Sequence, residues 1–155
     1  MEKITRKEAH DIYVWLNEKN IVKFDKDTRK AIIGICRTLK PIATEYEESR
    51  KAAQEKIFAG QKEALEKRSK AFADFQAATT AEEKKKQIDL INGFVELTPL
   101  DKEFAEYVSE LDKEEVEVTF PKIDEEKFVD GCEEAGIALS VSLLDDLAVF
   151  LKQDK

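Results

Sequence analysis

His10 is the only imidazole in the chain, so acid–base, nucleophile-activating or His-ligated metal chemistry would have to run through it. Neither Glu-x-x-His nor His-x-x-x-His occurs, and Cys36 and Cys132 stand far apart, so the usual helical zinc and di-iron sites lack ligands. A serine or cysteine nucleophile would need His10 as its base, and nothing around it suggests such a pair. The five glycines are isolated, which removes both kinds of phosphate-cradling loop. These absences point to a protein that is not an enzyme, with no catalytic residues, no metal and no cofactor. On this reading His10 is a solvated residue on an exposed helical turn. The two cysteines are small core residues, each among apolar neighbours at helical spacing, and nothing demands an oxidising compartment.

What remains is chemistry of the surface. In "EVEVTF" (115–120) the residues Val116, Val118 and Phe120 alternate with Glu115, Glu117 and Thr119, the period of a half-buried strand closed by Pro121. The strand could pair with "IVKF" (21–24), with "GIAL" (136–139), or with another copy of the chain. In the last case Val116, Val118 and Phe120 would fill pockets on the partner. Phe72 and Phe75, with Phe58, form a second candidate partner-binding stripe, although their helical spacing also suits a core or a coiled-coil seam. "EEKKK" (82–86) and the mixed basic stretch 50–70 could hold phosphate, but their interleaved acids favour a charged helix face.

Charge is unevenly spread. Residues 1–97 hold 20 Lys/Arg and 17 Asp/Glu, net +3; residues 98–155 hold 6 and 17, net −11; together they give the −8 of the whole chain. The acidic half repels phosphate backbones, so no direct nucleic-acid partner is expected; it could attract a basic partner, mimic nucleic acid, or keep the protein in solution. "MEKITRKEAH" has no apolar signal-like core and no apolar run approaches 18 residues, which predicts an unsecreted chain with no membrane partner. With 155 residues, 39% charged, five glycines and three prolines, the composition favours long solvated helices in a single domain, 1–155.

The elements follow from periodicity and caps. "TRKE" is a capping box opening a helix at Thr5 that should end near Asn20. A second helix starts in "DKDT" (25–28), and its apolar stripe runs in register through Pro41, which predicts a kink rather than a stop. Gly34 lies in that stripe, where close approach of another helix is expected, and Gly60 could hinge or end the helix. Residues 61–77 and 81–97, with Thr80 and Glu83 as a second capping box, read as two equal arms of an antiparallel hairpin projecting from the 60–97 region. "TPLD" (98–101) starts a further helix with Thr98 as cap. Asp124 caps a short one that Gly136 stops, and "SLLD" (142–145) opens the last, with Leu144, Leu147, Ala148 and Leu151 inward and Phe150 flanking. The fold class is mainly α: a helical bundle with a long kinked helix, a projecting hairpin and one or two short strands.

The order "CRTLKPIATEYEESRK" (36–51), a variable charged middle, "EFAEYVSELDKEEVEVTFPKID" and "SVSLLDDLAVFL" (140–151) resembles a family of small phage-encoded proteins of unknown function. The resemblance covers about two-thirds of the chain and implies a place in the host cytoplasm or the virion, with no catalytic residues to carry over. The leading expectation is a non-enzymatic phage protein that works by protein–protein binding: an assembly factor, a virion component or a self-associating helical module, with homo-oligomerisation open. One alternative is a counter-defence protein whose acidic half binds a host immune protein or mimics its nucleic-acid ligand. Another is a small-ligand binder with its site between chains.

Overall fold

The capping box at Thr5 is present: Thr5 Oγ1 accepts from the Glu8 amide at 3.1 Å while the Thr5 amide donates to Glu8 Oε2 at 2.8 Å. It opens α1 (Arg6–Asn17), which ends three residues before the expected Asn20. In the computed structural model, which describes residues 1–152, the chain is mainly α. It runs β1 (Glu2–Thr5), α1, α2 (Lys26–Ile57), α3 (Lys62–Ala77), α4 (Ala81–Asn92), α5 (Thr98–Lys113), β2 (Glu115–Val118), β3 (Ile123–Asp124), α6 (Glu125–Ala135), α7 (Val141–Asp146) and β4 (Leu151–Lys152). Single 3₁₀ turns lie at Ala59–Gln61, Val95–Leu97 and Ala148–Phe150.

The chain groups into two compact units. One is Met1–Glu48 with the chain from Glu110 onward; the other is Ser49–Ser109. The boundaries fall inside α2 and α5, so no Pro-, Gly- or Ser-rich stretch marks them.

In the first unit, β2 pairs antiparallel with β1, in the register Glu2↔Val118, Lys3↔Glu117, Ile4↔Val116 and Thr5↔Glu115. This corrects both partners expected within the chain. Residues 21–24 form a turn and residues 136–139 are not a strand; the ladder instead uses β1, on one edge of β2. The Arg6 amide continues the ladder to the Glu114 carbonyl at 2.8 Å. On the inner face Ile4 and Val118 are buried, and on the outer face Lys3 stands opposite Glu117, a favourable cross-strand charge pair. A second pair, β3 with β4, is parallel.

The core of this unit joins Ile12 and Leu16 of α1 to Ile32, Ile35 and Leu39 of α2 and to Phe128 and Cys132 of α6. Phe128 lies against Phe24 (ring centroids 5.9 Å) and Trp15 (6.5 Å). Phe150, expected to flank, is 1% exposed and lies tilted against Phe120, ring centroids 4.5 Å apart. Helix α2 continues through Pro41, as the unbroken stripe required. Gly34 does meet a neighbour, but it is the ring of Pro121, 2.9 Å from where a Cβ would stand, rather than another helix. Asp124 caps α6 and Gly136 ends it at φ 71°, both as read from the sequence. The last helix opens two residues earlier than expected, with Ser140 accepting from the Leu143 amide.

In the second unit α2 ends at Ile57 and Gly60 sits in a 3₁₀ turn. Helices α3 and α4, joined by three residues, pack along one another as the expected hairpin. The arms are unequal: α4 stops at Asn92, where Gly93 donates back to Leu90 and Ile91. Thr98 is helical rather than a cap, because the preceding 3₁₀ turn runs directly into α5.

Candidate functional site

The strand residues proposed for partner binding belong to the first unit's core. Val118 is buried, and Val116 and Phe120 are half-buried against the same cluster, so their side chains already fill an intramolecular pocket. The hairpin residues lie in the other unit. Phe72 is 49% exposed, while Phe75 is half-buried toward the seam.

Among the described residues the second unit supplies only Phe58, Ala71 and Leu97 of the 21 buried apolar residues. It supplies five of the nine exposed large ones: Phe72, Ile88, Leu90, Val95 and Tyr107. No residue of helix α4 is fully buried. An isolated helix of about twelve residues is marginal in water and gains most of its stability from burying an apolar stripe. Here Ile88 (43% exposed) and Leu90 (50%) are left bare, and Val95 beyond the helix is 71% exposed. Winding both helices at about 100° per residue around the seam of half-buried Arg68, Phe75, Gln87 and Ile91 puts Phe72 and Ile88 on one flank and Leu90 on the other. Sequence reading found Phe72 but missed Ile88, Leu90 and Val95, because a stripe predicts burial and cannot report that the opposing surface is missing.

What holds this unit together is partly polar. Arg68 forms a two-pronged bond to Asp101, at 2.6 and 2.7 Å, which ties α3 to the first turn of α5. That contact holds the guanidinium above its ordinary range, against the opposing effect of burial. Phe58 packs edge-on against Phe104 at 6.2 Å.

His10 is not solvated as expected. Its Nδ1 faces Asp11 Oδ1 at 3.1 Å, its Nε2 faces Glu47 Oε1 at 2.8 Å, and its ring lies 4.8 Å from that of Tyr46. Tyr46 and Glu47 of α2 reach the ring from another helix, so both ring nitrogens face carboxylate oxygens. In the same unit Arg6 pairs with Glu45 of α2 (3.1 Å) and with Glu114 (2.7 Å), and Tyr46 Oη donates to Asp112 of α5 at 2.5 Å. The thiols sit in poor surroundings for reaction: burial pushes Cys132 up to about 11, only partly opposed by Lys19, and raises Cys36 as well.

Among the described residues no group of three or more His, Cys, Asp or Glu side chains is arranged to hold a metal ion, and no helix is long and apolar enough to cross a membrane. Compared with protein-family models, curated proteins and solved structures, the chain matches none.

Proposed function

We propose that this is a phage-encoded, non-enzymatic protein that acts in the host cytoplasm or the virion by protein–protein binding, and that its hairpin mediates self-association. The phage assignment rests on the resemblance carried by residues 36–51, 104–124 and 140–151. The binding role rests on one observation: no residue of α4 is fully buried, while Phe72 and Ile88 stand exposed on one flank. A second copy suits that flank better than a charged partner. Residues 62–92 carry seven Lys/Arg and six Asp/Glu, net +1, leaving −9 for the rest of a chain of net −8. Two hairpins can therefore approach without the mutual repulsion that the acidic remainder would impose.

Light scattering coupled to size exclusion tests this. The wild-type chain is expected to run as a dimer at micromolar concentration, and Phe72→Glu with Ile88→Glu as a monomer with unchanged helicity. A wild-type chain that stays monomeric up to near-millimolar concentration would remove the self-association reading. Retention of the dimer by the double variant would move the interface elsewhere.

A further inference from the structure

We infer that the N-terminal half of α2 and the groove beside it bind a single strand of nucleic acid. Residues 19–40 carry seven Lys/Arg and two Asp/Glu, net +5, in a chain of net −8. At about 100° per residue, Lys26, Arg29, Lys30, Arg37 and Lys40 fall on one face of the helix within an arc of about 100°, while Asp27, the one acid between Lys26 and Lys40, lies off it. None of these five cations has an ion-pair partner among the described residues. The row is about 21 Å long at about 1.5 Å per residue.

Beside it a groove of about 300 Å³ runs between α1 and α2, with Tyr13, Ile21 and Ile33 on its walls and Lys19, Arg37 and Lys40 at its edge. Ile33 is exposed at the centre of the cationic arc. Cations in a row, with an apolar and aromatic recess alongside, are the two parts that strand binding needs: charge to track phosphates and a surface on which a base can rest. A mononucleotide would engage only one end of a row this long. An acidic peptide able to match five cations would bring few apolar groups for the recess. A single strand also stays close to this face, and the acidic residues elsewhere are screened beyond about 8 Å at physiological salt.

Anisotropy of a fluorescein-labelled oligothymidine, titrated between about 50 and 200 mM salt, tests the inference. With the five cations and Lys19 engaged, log K against log salt should fall with a slope of about −4, at about −0.7 per phosphate on a single strand. Arg37→Ala with Lys40→Ala, both exposed positions, should leave the melting temperature unchanged, weaken binding by roughly tenfold at low salt and flatten the slope to about −3. Phe72→Glu with Ile88→Glu should bind the strand as wild type does, which separates this test from that of the hairpin. Three results overturn the inference: no binding at the lowest salt, displacement by AMP as readily as by unlabelled strand, or equal competition by polyglutamate, which would reassign the row to an acidic protein partner.

Discussion

Gly131 lies in α6 directly beneath the ring of Phe24, and a Cβ built there would stand 2.2, 2.5 and 2.8 Å from three of its carbons. No side chain tolerates such approaches, so Gly131→Ala must push Phe24 out of its seat against Phe128. Phe24 is 4% exposed, and the open space beside it is the groove it lines with Gly131, Lys127 and Glu134, so yielding means leaving Phe128. Overpacking of this kind costs about 1–3 kcal/mol, and distances this short place it at the upper end. Alanine returns about 1 kcal/mol as the better helix former. The net expectation is a loss of about 2 kcal/mol, or a fall of about 4–8 °C in Tm for a chain of this length. Trp15, the only tryptophan, packs on Phe128 and reports melting of this unit by fluorescence.

Gly34→Ala is the control, since its Cβ would meet only Pro121, at 2.9 and 3.4 Å. The proline lies in a loop and can shift by a few tenths of an ångström, so the helix-propensity gain should roughly cancel the crowding and leave Tm near that of wild type. A sharper arm uses Phe24→Ala as background. With the ring gone, Gly131→Ala should become stabilising by about 1 kcal/mol, a change of sign that only direct contact between the two residues produces. If Gly131→Ala costs the same on both backgrounds, or behaves like Gly34→Ala in the wild type, the packing of Phe24 on α6 is refuted.

Asp25 caps α2, accepting from the Thr28 hydroxyl at 2.6 Å and the Thr28 amide at 3.1 Å, and these bonds hold its carboxyl below the ordinary carboxylate range. Asp25→Ala should cost about 1 kcal/mol at neutral pH. Because the folded value is depressed, that stabilisation is present above the ordinary carboxylate value of about 4 and is lost as pH falls through the folded one. Chemical denaturation across this range should show the variant and wild type converging on acidification, and a gap that widens instead would contradict the cap. Arg68→Met should cost about 1 kcal/mol, a discounted figure because Asp101 is 44% exposed and regains water when its partner is lost. Hydrogen exchange should show the effect as faster opening of α3 and the first turn of α5, with α1 unchanged; uniform acceleration would mean the pair is not local to that unit.

How far the sequence could be read depended on the range of the interaction. The caps at Thr5, Asp124 and Gly136 are set by chemistry within four residues of chain, and each stands where its residue types place it. The passage of α2 through Pro41 was equally legible, because an apolar stripe that keeps its register on both sides of a proline has no other simple geometry. Strand β2 was visible as a strand but not its partner. Ile4 is the single inward apolar residue of β1, so Glu2–Thr5 offers no period to recognise, and the ladder closes a separation of more than a hundred residues. Gly34 likewise announced a close approach without naming the ring of Pro121 that makes it. His10 read as solvated because its own helical turn is polar; the residues that cover it arrive from Tyr46 and Glu47 on another helix.

The basic row on α2 was missed for a different reason, and it bears on how charge should be read. Summed over residues 1–97 the excess is only +3, and the acids that dilute it lie elsewhere: on α1, past Lys40 on α2, and on the hairpin. Over Lys26–Lys40 the cations recur at the helical period, as the buried Thr28, Ile32, Ile35 and Leu39 do on the opposite side of the same turns. A helix whose inward face is fixed by its apolar residues has its outward charges fixed as well, because both follow the same wheel. Knowing that Ile32 and Ile35 face the core is therefore enough to know that Lys26, Arg29, Lys30, Arg37 and Lys40 share the outer face, whatever the net charge of the chain around them.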